Sequence, residues 1–284
     1  MNELAKRVLF ALVGAPLTIA LIYLGGWVFT FALGVICALG AWELYRMARV
    51  QGHEPLDNAG IVVAACVPLL VHGTYLGVIR ASITIAVLIL IVLTGSVIWL
   101  RGTARKPLVS LAVTILGIVY PSLVVYMYPI RYHDYAVGPL AGTTLLMLPI
   151  LLTWGTDTGA YAFGRMFGKH KLIPSVSPGK TVEGAIGGVV VGIVVAWAYV
   201  TFVLRPYAQL SMTPFLTIVF AIVISIVGQT GDLAESLFKR DAGVKDSSSL
   251  LPGHGGILDR FDSLLFVLPA AYLLLGLFLI PAPG

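Results

Sequence analysis

The stretch VLFALVGAPLTIALIYLGGWVFTFALGVICALGAW, residues 8–42, contains no charged side chain. Crossing the hydrocarbon core of a bilayer takes about 20 apolar residues as helix. Residues 8–42 are therefore long enough for two crossings, and Gly25-Gly26 is where they divide. In lipid the backbone must satisfy its own hydrogen bonds, which leaves helices as the spans of a chain with this pattern. Working outward, similar runs lie at residues 60–78, 81–100, 107–130, 137–162, 182–204, 213–238 and 257–280. The expected fold is thus an all-α polytopic membrane protein with about nine transmembrane helices. Composition agrees: the 284 residues are 58% hydrophobic and 11% charged, with mean hydropathy +0.97, whereas soluble domains carry roughly 25% charged residues.

Lysine and arginine orient such a chain. With nine spans, all 18 basic residues except Arg80, Arg131 and Arg205 fall on the side of the N-terminus. That side is expected to be cytoplasmic, with the C-terminus opposite. Lys6 and Arg7 precede an apolar run as in a signal peptide, but the run is too long and no small-residue cleavage site follows, so a retained first span is expected. Cys37 and Cys66 sit inside apolar runs and read as packing residues. Of the 13 acidic residues, all but Asp134 also gather at the cytoplasmic side. Positive-inside bias does not concern acids, so charges of both signs at one face point to a site.

Three polar stretches make up that face. In WGTDTGAYAFGRMFGKHK, residues 154–171, Asp157 lies near the end of an apolar helix, with Tyr161 and Gly164 on the same helical face. It reads either as a functional intramembrane acid or as a partner of Arg165 that orients the helix end. The following SPGKT resembles a P-loop terminus, but a P-loop needs a glycine five positions before Gly179, where Pro174 stands. What remains is Thr181 as helix cap. The amides of Val182, Glu183 and Gly184, with the Lys180 charge, are either an anion seat or an ordinary capped helix with a topology lysine.

In VGQTGDLAESLFKRDAGVKD, residues 227–246, Asp232, Glu235, Ser236 and Lys239 recur at helical spacing. Asp232 continues an uncharged span, where a bound cation would offset the cost of its charge. In SLLPGHGGILDRFDS, residues 249–263, the run from Pro252 through His254 to Gly255 and Gly256 is too glycine-rich for helix, and its amides could cradle an anion. Asp259 and Asp262 follow three apart, with Arg260 between them. Oxygen ligands without a Cys or His cluster favour magnesium over zinc. Carboxylates, basic residues and glycine loops where apolar helices end suit a phosphate-bearing substrate whose tail stays in lipid.

SLFKRDAGVKDSSSLLPGHGGILDRFD, residues 236–262, resembles the signature of the phosphatidate cytidylyltransferases, or CDP-diacylglycerol synthases, at every signature position. DTGAYAFGRMFGKHKLIPSVSPGKTVEG, residues 157–184, is similar to the family's second block. The resemblance implies CTP plus phosphatidic acid giving CDP-diacylglycerol and pyrophosphate for phospholipid biosynthesis, at the cytoplasmic face of a bacterial inner membrane. It also implies a homodimer and a metal pair of magnesium and potassium type, with Asp232 and Asp259 as the metal-holding aspartates. Spacing alone adds Asp262 to the metal set. Lys239, Arg240 and Lys245 are assigned to the triphosphate, alongside the two metal-holding aspartates as the catalytic group. Lys180, Arg165, Ser177, His254, Gly255, Gly256, Arg260 and Asp157 are expected to bind substrate. Residues 1–135 then form an N-terminal scaffold giving lipid access, residues 136–284 the catalytic region, and no nucleic-acid partner is expected. A CTP-dependent lipid kinase and a cation-coupled transporter are the competing readings.

Overall fold

In the computed structural model, which describes residues 3–80, 82–103, 105–250 and 255–282, the expected helices form at the expected places. They are α1 Glu3–Leu24, α2 Gly26–Val50, α3 Asp57–Tyr75, α4 Ile83–Arg101, α5 Pro107–Ser122, α6 Met127–Arg131, α7 Gly138–Phe167, α8 Val182–Tyr199, α9 Pro214–Asp241 and α10 Leu258–Phe278. A 3-10 turn, Leu123–Tyr126, joins α5 to α6, and a π-helix, Val200–Ala208, prolongs α8. Among the described residues, eight helical segments are long and apolar enough to cross a membrane, and α1 adds a shorter apolar stretch, Gly14–Leu24. The chain is an all-α polytopic membrane protein. One local departure is a short antiparallel hairpin, β1 Lys171–Ile173 with β2 Ser177–Thr181, inside what reads in sequence as loop.

The chain divides into two compact units that are not sequential halves. The first combines residues 1–125 with 238–260, the second residues 126–237 with 261–284. In the first unit, α2, α3 and α5 pack around Tyr45, which is wholly buried. Its hydroxyl donates to the Thr114 carbonyl at 2.8 Å. The ring lies against Gly60 of α3 and Gly117 of α5, where any Cβ would collide with it. Thr114 Oγ1 in turn accepts from the Leu56 amide at 2.8 Å, fixing the turn into α3. By contrast α4 turns most of its surface outward, with Trp99 88% and Ile98 68% exposed. Large apolar patches of this kind are uncommon on soluble monomers and suit a lipid-facing helix.

The second unit rests on close contact between α7 and α8. Gly155 and Gly159 of α7 meet Val195 and Val191 of α8, and Gly187 of α8 leaves room for the Phe163 ring. Small residues four apart allow such approach in lipid, where van der Waals packing replaces the hydrophobic driving force. Thr156 of α7 and Ser225 of α9 hydrogen-bond at 2.9 Å beside Gly192. Gly231 of α9 brings that helix close enough for its Cβ position to lie 2.7 Å from the Asp262 carbonyl of α10. A two-stranded pair, β3 Leu210–Ser211 with β4 Ile280–Pro281, closes the far end of this unit.

Gly117→Ala should therefore destabilise the detergent-solubilised protein by about 1–3 kcal/mol through overpacking against Tyr45. Tyr45→Phe, which removes only the bond to Thr114, should cost about 0.5–1.5 kcal/mol. Thermal unfolding of the two variants beside the parent checks the order.

Candidate active site

The last turn of α9 sets the first part of the site. Gly243 adopts a left-handed φ of 67°, Val244 N donates to Lys239 O at 2.9 Å, and Gly243 N donates to Arg240 O at 3.0 Å. This is a Schellman ending, and it turns the chain back so that Ser247 and Ser248 are buried within the first unit. Lys239 Nζ then lies 2.6 Å from Asp259 Oδ1, with the two side chains only 11% and 7% exposed. The other oxygen, Oδ2, accepts from Ser247 N at 2.9 Å, Ser247 Oγ at 2.8 Å and Gly256 N at 2.8 Å. A carboxylate offers about four acceptor positions, and here Lys239 and two backbone amides take three, with the Ser247 hydroxyl as a fourth contact.

A second carboxylate backs this arrangement. Glu43 of α2 is fully buried. Its Oε1 accepts from Ser248 Oγ at 2.6 Å and Ile257 N at 2.8 Å, and its Oε2 from Ser247 Oγ at 3.0 Å and Leu258 N at 2.8 Å. Burying an ion costs several kcal/mol, and hydrogen bonds to charged groups return roughly 1.5–3 kcal/mol each, so three full donors and a share of the Ser247 proton are enough to hold it. The glycine run is explained by the same crowding. A Cβ at Gly256 would collide with Ser247 Oγ and Glu43 Oε1, and one at Gly255, whose φ is +78°, would meet Asp259 Oδ2. The Gly256 amide, expected to be open to an anion, instead serves Asp259, and the Ile257 amide next to it serves Glu43. His254 lies outside the described residues.

The second unit holds the other predicted group. Lys180, at the end of β2, forms an ion pair with Asp232 Oδ2 of α9 at 2.7 Å, the side chains being 25% and 31% exposed. Ser236 donates to Asp232 Oδ1 at 3.4 Å. Asp157 of α7 lies within electrostatic reach of Asp232 and Lys180. Arg165 bonds instead to the Tyr161 hydroxyl at 3.2 Å. Thr181 caps α8 as expected, accepting from Gly184 N at 3.1 Å. Val182 N is already bonded to His170 O at 2.9 Å, so two of the three amides expected to seat an anion, those of Val182 and Gly184, are taken by the chain itself. Glu183 turns back onto the amides of Lys169 and His170 and onto His170 Nδ1, at 2.6–3.3 Å.

The remaining candidates are spread out. Arg240 is exposed and donates to Val244 O at 3.3 Å. Lys245 and Arg260 are exposed, and Ser177 is half-buried in β2. Asp262 Oδ1 accepts from Ser263 N at 2.6 Å, a local turn of α10. Asp232 belongs to the second unit and Asp259 to the first. Among the described residues, no group of three or more His, Cys, Asp or Glu side chains forms a ready metal cage. Magnesium does not need one, since it is commonly held by one or two carboxylates together with substrate phosphates. Asp232, a third exposed and with acceptor capacity left, fits that role, and Asp157 adds a second carboxylate. Asp259 fits only if a metal takes the place of the Lys239 ammonium. Glu43 and the Ser247 and Ser248 hydroxyls are buried partners of this cluster that the sequence reading did not single out. The available signal was an acid at the end of residues 8–42, open to the same reasoning as Asp157.

The family model described as the cytidylyltransferase family matches residues 5–278. The chain belongs to that family. Its members include nucleotidyltransferases named phosphatidate cytidylyltransferase. The one from Staphylococcus epidermidis is 35% identical over 274 residues, covering 95% of this chain and 98% of its own length. That of Staphylococcus aureus is 34% identical over 271 residues with the same coverage. A third, from Staphylococcus haemolyticus, reaches 51% over 134 residues, 47% of this chain and 50% of its own length. Membership thus extends beyond the C-terminal signature to the N-terminal helices, including the one that carries Glu43.

The two lysine–aspartate pairs differ in burial, and stability should follow. Lys239→Met, which strands Asp259 in a closed pocket, should cost roughly 3–5 kcal/mol. Lys180→Met, at a pair a quarter to a third exposed, should cost about 0–1 kcal/mol. Denaturation midpoints in one detergent separate the two.

Proposed function

We propose that this member of the cytidylyltransferase family transfers the cytidylyl group of CTP to phosphatidic acid, releasing pyrophosphate. A phosphate oxygen of the lipid attacks the α-phosphorus of CTP. The new P–O bond forms as the bond from the α-phosphorus to the bridging oxygen breaks, and pyrophosphate leaves in line. The lipid phosphate is already anionic near neutral pH, so no general base is assigned. The observation that carries this reading is the site chemistry within a family-length match. Two lysine–aspartate pairs draw on these blocks: Lys239 and Asp259 both lie in residues 236–262, and Lys180 of residues 157–184 pairs with Asp232, four residues before the signature begins. Fixed cations aimed at a triphosphate and a lipid phosphate stabilise charge as it shifts toward the leaving group, usually the largest catalytic contribution.

Lys239, Arg240 and Lys245 are assigned to the triphosphate, Lys180 and Arg165 to the lipid phosphate, and Arg260 to substrate binding. Asp232 in the second unit would hold one ion of the magnesium and potassium pair, and Asp259 in the first unit the other once Lys239 has moved to phosphate; magnesium would neutralise charge on the triphosphate. The basic-residue pattern supports a cytoplasmic placement of this chemistry in a bacterial inner membrane, with the lipid's acyl chains remaining among the apolar helices. A homodimer is part of the same reading.

Purified protein incubated with labelled CTP and phosphatidic acid should form CDP-diacylglycerol only when magnesium is present. Asp232→Asn should lower that turnover by roughly 10²–10³-fold, whereas Asp134→Asn, at an exposed acid outside both blocks, should leave it unchanged. Near-normal product formation by Asp232→Asn would remove the metal assignment.

A further inference from the structure

The geometry points to Glu43 as a positioning residue for the transfer reaction, acting on Asp259 through Ser247 and on the first turn of α10 through two backbone amides. It rests on the reading that Asp259 and Lys239 belong to the catalytic site. Glu43 sits on α2, far in sequence from the signature, yet it receives donors from residues 247, 248, 257 and 258. These bracket the signature loop at both ends. The Ile257 and Leu258 amides are orphan donors of the α10 N-terminus, and a carboxylate from another helix satisfies them and favours the dipole end.

The Ser247 hydroxyl is the link. It lies 3.0 Å from Glu43 Oε2 and 2.8 Å from Asp259 Oδ2. It has one proton to give, so the two carboxylates share it. Displacing Glu43 changes what Asp259 receives, and with it the orientation of the oxygen that faces Lys239. Gly256 is fitted to the same contact, since a Cβ there would strike both Ser247 Oγ and Glu43 Oε1. A carboxamide at position 43 could not substitute, because its NH₂ would face a backbone N–H of either Ile257 or Leu258.

The test uses the full-length protein in detergent, as wild type, Glu43→Gln, Glu43→Asp, Ser247→Ala and the Glu43→Gln/Ser247→Ala pair. Turnover of labelled CTP onto phosphatidic acid is measured per folded molecule at varied CTP, phosphatidic acid and magnesium. Amide hydrogen exchange over residues 255–260 is followed in parallel. Glu43→Gln should lower kcat by about 10–100-fold, the usual effect of removing a partner that orients a ligand, while KM for phosphatidic acid stays put. Glu43→Asp should recover part of the loss, the pair should be little worse than Glu43→Gln alone, and the Ile257 and Leu258 amides should exchange faster in Glu43→Gln. An unchanged kcat per folded molecule, or losses that multiply in the pair, would overturn the proposal. If Glu43→Gln does not fold, Ser247→Ala and Glu43→Asp carry the same kinetic comparison. If the wild type makes no CDP-lipid, the proposed function fails separately. Exchange then decides the positioning role, which unaltered protection in Glu43→Gln overturns.

Discussion

A carboxylate removed from water has to be surrounded by donors, and the first unit is arranged around two that share one hydroxyl. Glu43 and Asp259 together take the Ser247 hydroxyl, the Ser248 hydroxyl, the Lys239 ammonium and the amides of residues 247, 256, 257 and 258. Several otherwise separate features follow from that need. The Schellman ending of α9 delivers Ser247 and Ser248 to the buried side, α10 begins where its first amides can be met, and the glycines at 255 and 256 leave space for the oxygens. Changing any one of these strands a buried polar group, and each stranded group costs about 1–3 kcal/mol, more when charged.

The second unit solves a different problem with the same economy of side chains. Its helices have no apolar drive to associate in lipid, so their contact depends on small residues that let backbones approach. Gly155, Gly159, Gly187 and Gly192 do this for α7 and α8, and Gly231 does it for α9 against α10. Close approach also positions chemistry. Asp157 and Asp232 are carried by helices α7 and α9, which the Thr156–Ser225 hydrogen bond ties together, and Lys180 is held at the base of α8 by a hairpin only a few residues long.

The helices were legible because their signal is local: long uncharged runs, interrupted by glycine or by charge, map directly onto spans. The caps were partly legible for the same reason, as Thr181 demonstrates. What the sequence hid is where donors and acceptors meet. Lys239 and Asp259 both read as site residues, but nothing in their spacing says that they pair. The glycine run looked like an open cradle because composition reveals which amides are unencumbered by side chains and not which are already bonded. Glu43 was counted only among the acids gathered at one face. Its contact with Leu258 joins positions 215 apart, a separation at which no periodicity survives. The 171–181 hairpin escaped because Pro174, Pro178 and Gly179 signal turns more strongly than three- and five-residue strands signal pairing.

These contacts also explain why a chain handling phosphates can dispense with a P-loop. In a P-loop the glycine-rich turn is rigid because a buried strand leads into it and a helix leaves it, and free amides then do the binding. Here, among the described residues, Gly255 and Gly256 lead directly into α10 and belong to neither two-stranded sheet. Order must come from side chains, and once Glu43 and Asp259 have taken the amides of residues 247 and 256–258, those amides cannot also bind phosphate. The lysines are the groups left to meet a phosphate in the reading proposed above, since an ammonium on a long side chain can exchange a carboxylate partner for one. Carboxylates order the backbone, and one of them, Glu43, comes from α2, so the order of the signature segment depends on an N-terminal helix.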